Sequence, residues 1–463
     1  MPGMKVLYLA LLSALMAGPA QAQDTMPPAL TSKIDAAVTE ALQTTGAPSA
    51  SIAVVKGGQL VYTRAYGLAN VENKAEATPG MRYSIGSISK QFAASAILLL
   101  AEEGRLSLDD KVGKFLPGLT RGGDVSLRQL LSMTAGYQDY WPQDYVMPGM
   151  LKPVTPEEIV NRWARIPLDF EPGTAWQYSN TNYVIIGLVV QKAAGQPLFD
   201  FLQQRIFGTL GMTSIQNIDE AALGPADASR YTRMASGPVR PAPKEGRGWI
   251  FAAGELAMTA SDLAKWDISL IKRTVLKPES YRALETETLL VNGVGTGYGL
   301  GVSVRLQGGH RILSHGGEVS GFTAQNVVYP DDGLAVVVLT NLDATDASGR
   351  AAGKIATLLL APAEEHGRIQ QVTDILKGLQ HGTIDRALLT DNNSFYFSAD
   401  ALKDFAASLG PLGELTSVTQ DAQTLRGGMT FRGYRAVFAK ATVRVSTYTM
   451  PDGKLEQFLV APE

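Results

Sequence analysis

Apolar residues change their spacing several times along this chain, and each change marks a predicted element. A helical pattern runs from about Leu30 to Thr44. "SASIAVVKGGQLVYTRAYG" follows, with apolar runs on either side of Gly57-Gly58, and reads as a β-hairpin. At residues 83–104, "YSIGSISKQFAASAILLLAEEG" carries the long apolar run of a buried helix, and the signals stay mostly helical, with loops, to about Met212. Residues 298–305 and 321–340 return to strand character, with a turn at "PDDG", before the helical "ASGRAAGKIATLLLA". Strands at both ends with helices between predict an α/β unit. Its one antiparallel sheet is assembled from distant segments, flanked by helices, and lies beside a helical subdomain.

"PAEEHG", residues 362–367, reads as a linker. Beyond it come a helix over about 369–380 and a second helical stretch, "SADALKDFAASLG". "MTFRGYRAVF", "KATVRVSTYTM" and "KLEQFLVAP" then alternate like antiparallel strands, the last two joined at Pro451-Asp452-Gly453. The expected organisation is a larger unit over residues 23–361 and a small α+β domain over 368–463. A chain of 463 residues is more than one core usually serves, which agrees with two units.

The first residues, "MPGMKVLYLALLSALMAGPAQAQD", read as a secretory leader. Lys5 supplies the positive end, residues 6–17 the apolar stretch, and Ala20-Gln21-Ala22 the cleavage site, with the cut after Ala22. That stretch is shorter than the about 20 apolar residues that span a bilayer, so residues 1–22 are expected to be a signal peptide and not an anchor. A periplasmic or secreted protein is expected.

Composition narrows the chemistry. The net charge of -3 and the lack of a basic run with interleaved aromatics give no general attraction for nucleic acid or anionic lipid. With no cysteine, disulfides, thiolate metal sites and a cysteine nucleophile are excluded. The four histidines, His310, His315, His366 and His381, form no HExxH or paired spacing, so neither a metal nor another cofactor is expected.

Three short elements carry candidate chemistry. The first is Ser87-x-x-Lys90 at the mouth of the buried helix. Three residues along a helix put both side chains on one face, and a helix N-terminus favours developing negative charge. A lysine acting as base must lose its proton, which desolvation and nearby positive charge promote. Ser87 as a simple cap, with Lys90 reaching to water, explains this stretch equally well. A second SxxK, Ser269–Lys272, reads as a surface coincidence. The second element is Tyr178-Ser179-Asn180, the only Y-x-N triplet among sixteen tyrosines. A phenol and an amine can share and relay a proton, and an amide can orient substrate and lysine. It also reads as a polar turn leading into a core helix. The third is "LSHGGEVSGF", residues 313–322, where glycines permit close backbone approach and an edge strand could pair with a bound chain. Its plainer reading is a glycine-rich hairpin.

In this order and spacing the three resemble the penicillin-recognising serine hydrolases: class C β-lactamases, DD-peptidases, D-aminopeptidases and the β-lactamase-like (family VIII) carboxylesterases. "GRLSLDDKVGKFLP", "VSLRQLLSMTAGY", "FGTLGMTS", "AAGELAMTASDLAKW", "GYGLGV" and "VVVLTN" also look like family segments, and the likeness covers roughly residues 30–345. The resemblance implies a β-lactamase/transpeptidase-like fold, with Ser87 as acylated nucleophile and Lys90 as its base or proton partner. Tyr178 would be the second member of the relay, and Asn180 would orient substrate. His315, Gly316 and Gly317 would stand where the family has Lys-Thr-Gly or His-x-Gly. The N–H groups of Ser87 and Glu318 would form the oxyanion hole, a pair of donors commonly worth about 3 kcal/mol each. Which group deprotonates the serine is disputed even among relatives.

Several positions depart from the pattern. The third element lacks the lysine typical of class C β-lactamases, Met133 of "LLSM" stands where many relatives carry histidine, and Thr209 stands where proline is usual. No GxSxG occurs, so an α/β-hydrolase nucleophile elbow is not supported.

Two functions compete. One is a hydrolase acting through a serine acyl-enzyme on small-molecule esters or D-amino-acid peptides, with weak or no β-lactamase activity. The other is a penicillin-binding or wall-sensing module with little turnover and a C-terminal interaction domain. The joint presence of Ser87, Lys90, Tyr178 and Asn180 favours the enzyme. A histidine with an ordinary pKa near 6.5 is mostly neutral at pH 7, and Glu318 adds a negative charge beside the oxyanion position. Both should weaken carboxylate-bearing substrates and spare neutral esters and peptides presenting an amine. "YQDYWPQDY", residues 137–145, could offer apolar surface to them. The C-terminal domain is expected to pack against the larger unit or mediate association and to carry no catalytic group. The oligomeric state stays open.

Overall fold

The computed structural model describes residues 26–143, 145–307, 309–360 and 363–463; the leader and its expected cut after Ala22 lie outside the described residues. The central sheet has seven strands: β1 (Ser49–Lys56), β2 (Gln59–Asn70), β3 (Ala75–Glu76), β4 (Ser303–Gln307), β5 (His310–Val319), β6 (Phe322–Tyr329) and β7 (Leu334–Thr340). Their spatial order is β3-β2-β1-β7-β6-β5-β4, with antiparallel pairing throughout. The N-terminal hairpin therefore joins a strand 280 to 290 residues further along through the β1–β7 pair, which runs from Ala50↔Thr340 to Val55↔Ala335.

β1 and β7 are buried on both faces, which is why they read as continuous apolar runs and do not alternate. Alternate residues still go to different cores. Ala53, Val55, Ala335, Val337 and Leu339 face the large core with helix Ser89–Glu102. Ile52, Val54, Val336 and Val338 face a smaller one covered by α1 (Pro28–Thr45) and the helix Ala347–Leu359.

Strand character begins at Ser303 and not at 298, because Tyr298 is buried and turned to another use described below. The segment read as a linker is mostly helix, Ala363–Gln380; residues 361 and 362 lie outside the described residues. The chain beyond it has its own core, including Leu376, Leu379, Phe397, Tyr434, Phe438 and Phe458. Four strands cover it in chain order, β8 (Leu415–Arg426), β9 (Met429–Phe438), β10 (Thr442–Thr449) and β11 (Leu455–Pro462). β8 is absent from the sequence reading. It is an edge strand with only Leu415 and Val418 buried, so it carries almost no apolar alternation to be read. It lies beside β4, the outer strand of the central sheet.

One chain of buried polar groups fixes the helix that carries Lys90; we label it α2 (Ser89–Glu102). The Gln91 amide accepts from Trp266 Nε1 at 2.8 Å and donates to Asn326 Oδ1 at 3.1 Å. Asn326 in turn donates to Asp267 Oδ1 at 2.9 Å. These bonds tie α2 to β6 and to α3 (Ala260–Lys272) through the core, where an unpaired polar group would be costly. Asp267 Oδ2 has no hydrogen-bond partner among the described residues, and burial pushes the carboxyl pKa up to about 8.

A carboxyl whose folded pKa lies above its unfolded value contributes most stability below the unfolded pKa, and loses it as pH rises through the folded one. Stability should therefore fall between about pH 4 and pH 8. Asp267→Asn should flatten this fall, melting above the wild type at pH 8 and not at pH 4. Thermal unfolding at the two pH values checks it; a variant equally destabilised at both would contradict it.

Candidate active site

The Ser87 element begins in a single turn of 3₁₀ helix, Gly86–Ile88, that leads directly into α2. The apolar run of the sequence is accordingly buried from Phe92 to Leu100, and Lys90 in its first turn is also fully buried. Such an ammonium stem can stay only if its head finds acceptors. Lys90 Nζ lies 2.9 Å from Ser87 Oγ, 2.8 Å from Asn180 Oδ1 and 2.8 Å from the Ala253 carbonyl oxygen. The rings of Tyr178 and Tyr183 flank it, with centroids at 4.9 and 5.6 Å. Lys90 as a side chain reaching to water is thereby excluded.

Asn180 opens the core helix Asn180–Ala194. The orientation of its amide is set by a residue that the sequence reading did not single out. Asp139 accepts from Asn180 N at 3.0 Å and from Asn180 Nδ2 at 3.2 and 3.3 Å, as well as from Trp141 N at 3.1 Å. With Nδ2 committed to Asp139, Oδ1 must face Lys90. Burial raises the Asp139 pKa, opposed by these hydrogen bonds and the charge of Lys90. A lone aspartate in an aromatic loop carries no spacing signal, so only the fold could find it.

Met133 braces the Tyr178 element from behind. Its carbonyl accepts from Gln177 N at 3.0 Å and its sulfur from Ser179 N at 3.4 Å. To do both it takes φ 63°, a left-handed conformation that is strained for a side chain of this size. Met133 thus meets the Ser179 N–H through its sulfur.

The third element is the end of β5. This strand pairs with β6 as far as Val319↔Phe322 but with β4 only from His310 to Ser314. Beyond Ser314 its other edge is free of β4 and lies against the turn that carries Ser87. The contact is as close as backbones allow. A Cβ on Gly317 would stand 1.9 Å from Ile85 O, and one on Gly86, already at φ 49°, would stand 2.7 Å from Glu318 N. Glycine at these two places lets the N–H of Glu318 approach Ser87.

His315 is buried beside this edge, 6.1 Å from Tyr178 between ring centroids. Its Nδ1 is 2.5 Å from the Gly316 carbonyl oxygen, which can only accept, so Nδ1 carries the proton and Nε2 accepts from Tyr298 O–H at 2.9 Å. Burial and the charge of Lys90 lower its pKa to about 4. The ring is therefore neutral throughout the physiological range, and both its nitrogens are used within the protein. Tyr298 is a second residue that sequence spacing did not reveal. Glu318 points its side chain outward, where Oε1 accepts from Ala344 N at 2.7 Å.

These parts line one cleft of about 480 Å³ that includes Ser87, Tyr178, Asn180 and residues 315–318. Tyr140 and Trp141 form part of its wall, and Glu318 and Asp346 are the charged side chains at its surface among the described residues. The second SxxK contributes nothing here. Ser269 is buried, not superficial as expected, and its hydroxyl donates to the Trp266 carbonyl.

If Asp139 sets the Asn180 amide, Asp139→Ala should let that amide rotate and move the Lys90 amine. Turnover of a chromogenic ester should then fall by about 100-fold, the scale of a 1 Å misplacement, in a protein with wild-type circular dichroism. Unchanged turnover would contradict this role.

The beta-lactamase family model matches residues 34–361. A D-aminopeptidase of Cereibacter sphaeroides is 32% identical over 327 residues, which are 69% of this chain and 60% of that protein. Penicillin-binding protein 4* of Bacillus subtilis is 28% identical over 309 residues, 63% of this chain and 67% of that one. The match thus spans about 60% of the length of the D-aminopeptidase. Among solved structures, a D-stereospecific amidohydrolase from Streptomyces sp. superposes with a TM-score of 0.60 at 28% identity, covering 68% of this chain and 96% of that one. An octameric penicillin-binding protein homologue from Pyrococcus abyssi gives 0.63 at 23% identity over 94% of this chain and 98% of its own, a likeness of fold that takes in the C-terminal residues as well. A family match over most of the chain, on a fold that gathers Ser87, Tyr178 and Asn180 into one cleft with Lys90 buried against Ser87 and Asn180, shows that this chain belongs to the beta-lactamase family.

Proposed function

We propose that this protein is a serine hydrolase that cleaves amides or esters of D-amino acids through an acyl-enzyme on Ser87. The observation that carries this reading is the Lys90 amine, buried and 2.9 Å from Ser87 Oγ. Two of its partners, Asn180 Oδ1 and Ala253 O, can only accept. A neutral amine donates its two protons to these and keeps its lone pair for the Ser87 hydroxyl. In this reading Lys90 takes the serine proton as the hydroxyl attacks the acyl carbon. Tyr178, whose ring borders Lys90, passes a proton to the leaving group. The N–H groups of Ser87 and Glu318 receive the oxyanion, and water completes the cycle by attacking the acyl-enzyme. The free edge of β5 at 316–318 would hold the acyl chain by backbone pairing.

The charge around the cleft supports the substrate class. His315 is neutral, Glu318 and Asp346 are acidic, and no lysine or arginine lines the wall among the described residues. A substrate carboxylate gains nothing from such a site, whereas a free α-amine is favoured. The D-aminopeptidase and the D-stereospecific amidohydrolase among the relatives bear names of the same kind. Action in the periplasm or outside the cell is part of the proposal and rests on the leader.

Short p-nitrophenyl esters, D- and L-alanyl peptides with a free amine, and a chromogenic cephalosporin form the test panel. The kcat/KM should be highest for the esters and D-alanyl peptides, lower for the L-peptides and lowest for the cephalosporin. All activity should be lost in Ser87→Ala. Best turnover of the cephalosporin would overturn the charge argument, and residual turnover in Ser87→Ala would overturn the mechanism.

A further inference from the structure

A second cavity, of about 490 Å³, shares no lining residue with the cleft and has Ser229, Arg230, Tyr231, Lys244 and Glu72 in its wall. Its floor is fixed by backbone contacts: Tyr231 N donates to Gly321 O at 3.2 Å and Ala242 N to Arg230 O at 3.1 Å. The charged groups here are unevenly satisfied. Glu72 accepts from the Tyr231 hydroxyl at 2.5 Å. Glu245 is buried beneath, where Oε2 accepts from Ser320 Oγ at 2.6 Å and Oε1 lies 3.8 Å from Lys244 Nζ. Arg230 has no such partner. Its guanidinium makes no hydrogen bond and no close ion pair among the described residues, although burial already disfavours its charge and only the field of Glu245 offsets this.

A guanidinium presents five N–H donors in a flat fork, and leaving them unused in a half-buried site is unfavourable. Lys244, in the same wall, adds a second positive charge; its Nζ donates to the Glu245 carbonyl oxygen at 3.3 Å and lies 3.8 Å from Glu245 Oε1. The two carboxylates here, Glu72 and Glu245, accept from the Tyr231 hydroxyl and from Ser320 Oγ, which leaves the Arg230 fork facing the unfilled volume without a carboxylate partner among the described residues. We propose that this cavity binds a small anion, a carboxylate- or phosphate-bearing molecule, in the fork of Arg230 with Lys244 as second ligand. Tyr231 and Ser229 border the same space and limit the ligand's size. The site is separate from the Ser87 chemistry and does not rest on the proposed function.

Calorimetric titration of the full chain with inorganic phosphate, and separately with acetate, at ionic strength held constant with sodium chloride, tests it. Saturable binding of at least one anion is expected, and the arm that binds tells phosphate from carboxylate. Arg230→Gln should weaken it by about tenfold or more, the scale of one lost charge-assisted contact, and Arg230→Lys should weaken it less. Lys244→Met should also weaken it and serves if Arg230→Gln does not fold. No saturable binding by the wild type, or equal binding by the wild type and the folded variants, would overturn the proposal.

Discussion

The site is organised by the burial of one amine. Lys90 enters the core at the start of α2, and a buried ammonium or amine head must be given partners from whatever surrounds it. Here they come from three places far apart in sequence: the preceding turn, the first residue of the helix Asn180–Ala194, and the loop ending at Ala253. Each partner must then be held. Asp139 holds Asn180, the bonds of Gln91 hold α2, and Met133 adopts an unfavourable backbone angle to hold the residues beside Tyr178. The requirement to satisfy one nitrogen thus spreads through most of the larger unit.

A second constraint is steric. The free edge of β5 reaches the Ser87 turn only because neither Gly86 nor Gly317 carries a side chain. Backbone N–H groups are rigid donors whose positions are fixed by folding, so an oxyanion site built from them needs no rearrangement during reaction. The neutral His315, pinned by Tyr298 and the Gly316 carbonyl, fills the space behind that edge without adding charge.

Much of this was legible in the sequence, for identifiable reasons. Helices with long apolar runs and strands buried on both faces announce themselves, as α2 and β7 do. The motif residues Ser87, Lys90, Tyr178 and Asn180 stand at spacings that read as one pattern, and the fold brings them together at one cleft, with Lys90 buried behind its wall. Groups that serve by contact alone left no trace. Asp139 and Tyr298 are single residues without periodicity, and the Ala253 carbonyl belongs to the backbone, which sequence does not distinguish. β8 was missed because an edge strand open to water has no apolar face, and the helix from Ala363 because a charged, polar stretch reads as a linker.

The central claim is that Lys90 makes Ser87 nucleophilic, and covalent labelling with a fluorophosphonate followed by peptide mass spectrometry addresses it directly. The wild type should carry the adduct on the Ser87 peptide, and Lys90→Met and Tyr178→Phe should label at that serine about 100-fold more slowly or worse. An adduct at another residue, none at all in folded protein, or equal rates in Lys90→Met would contradict the account.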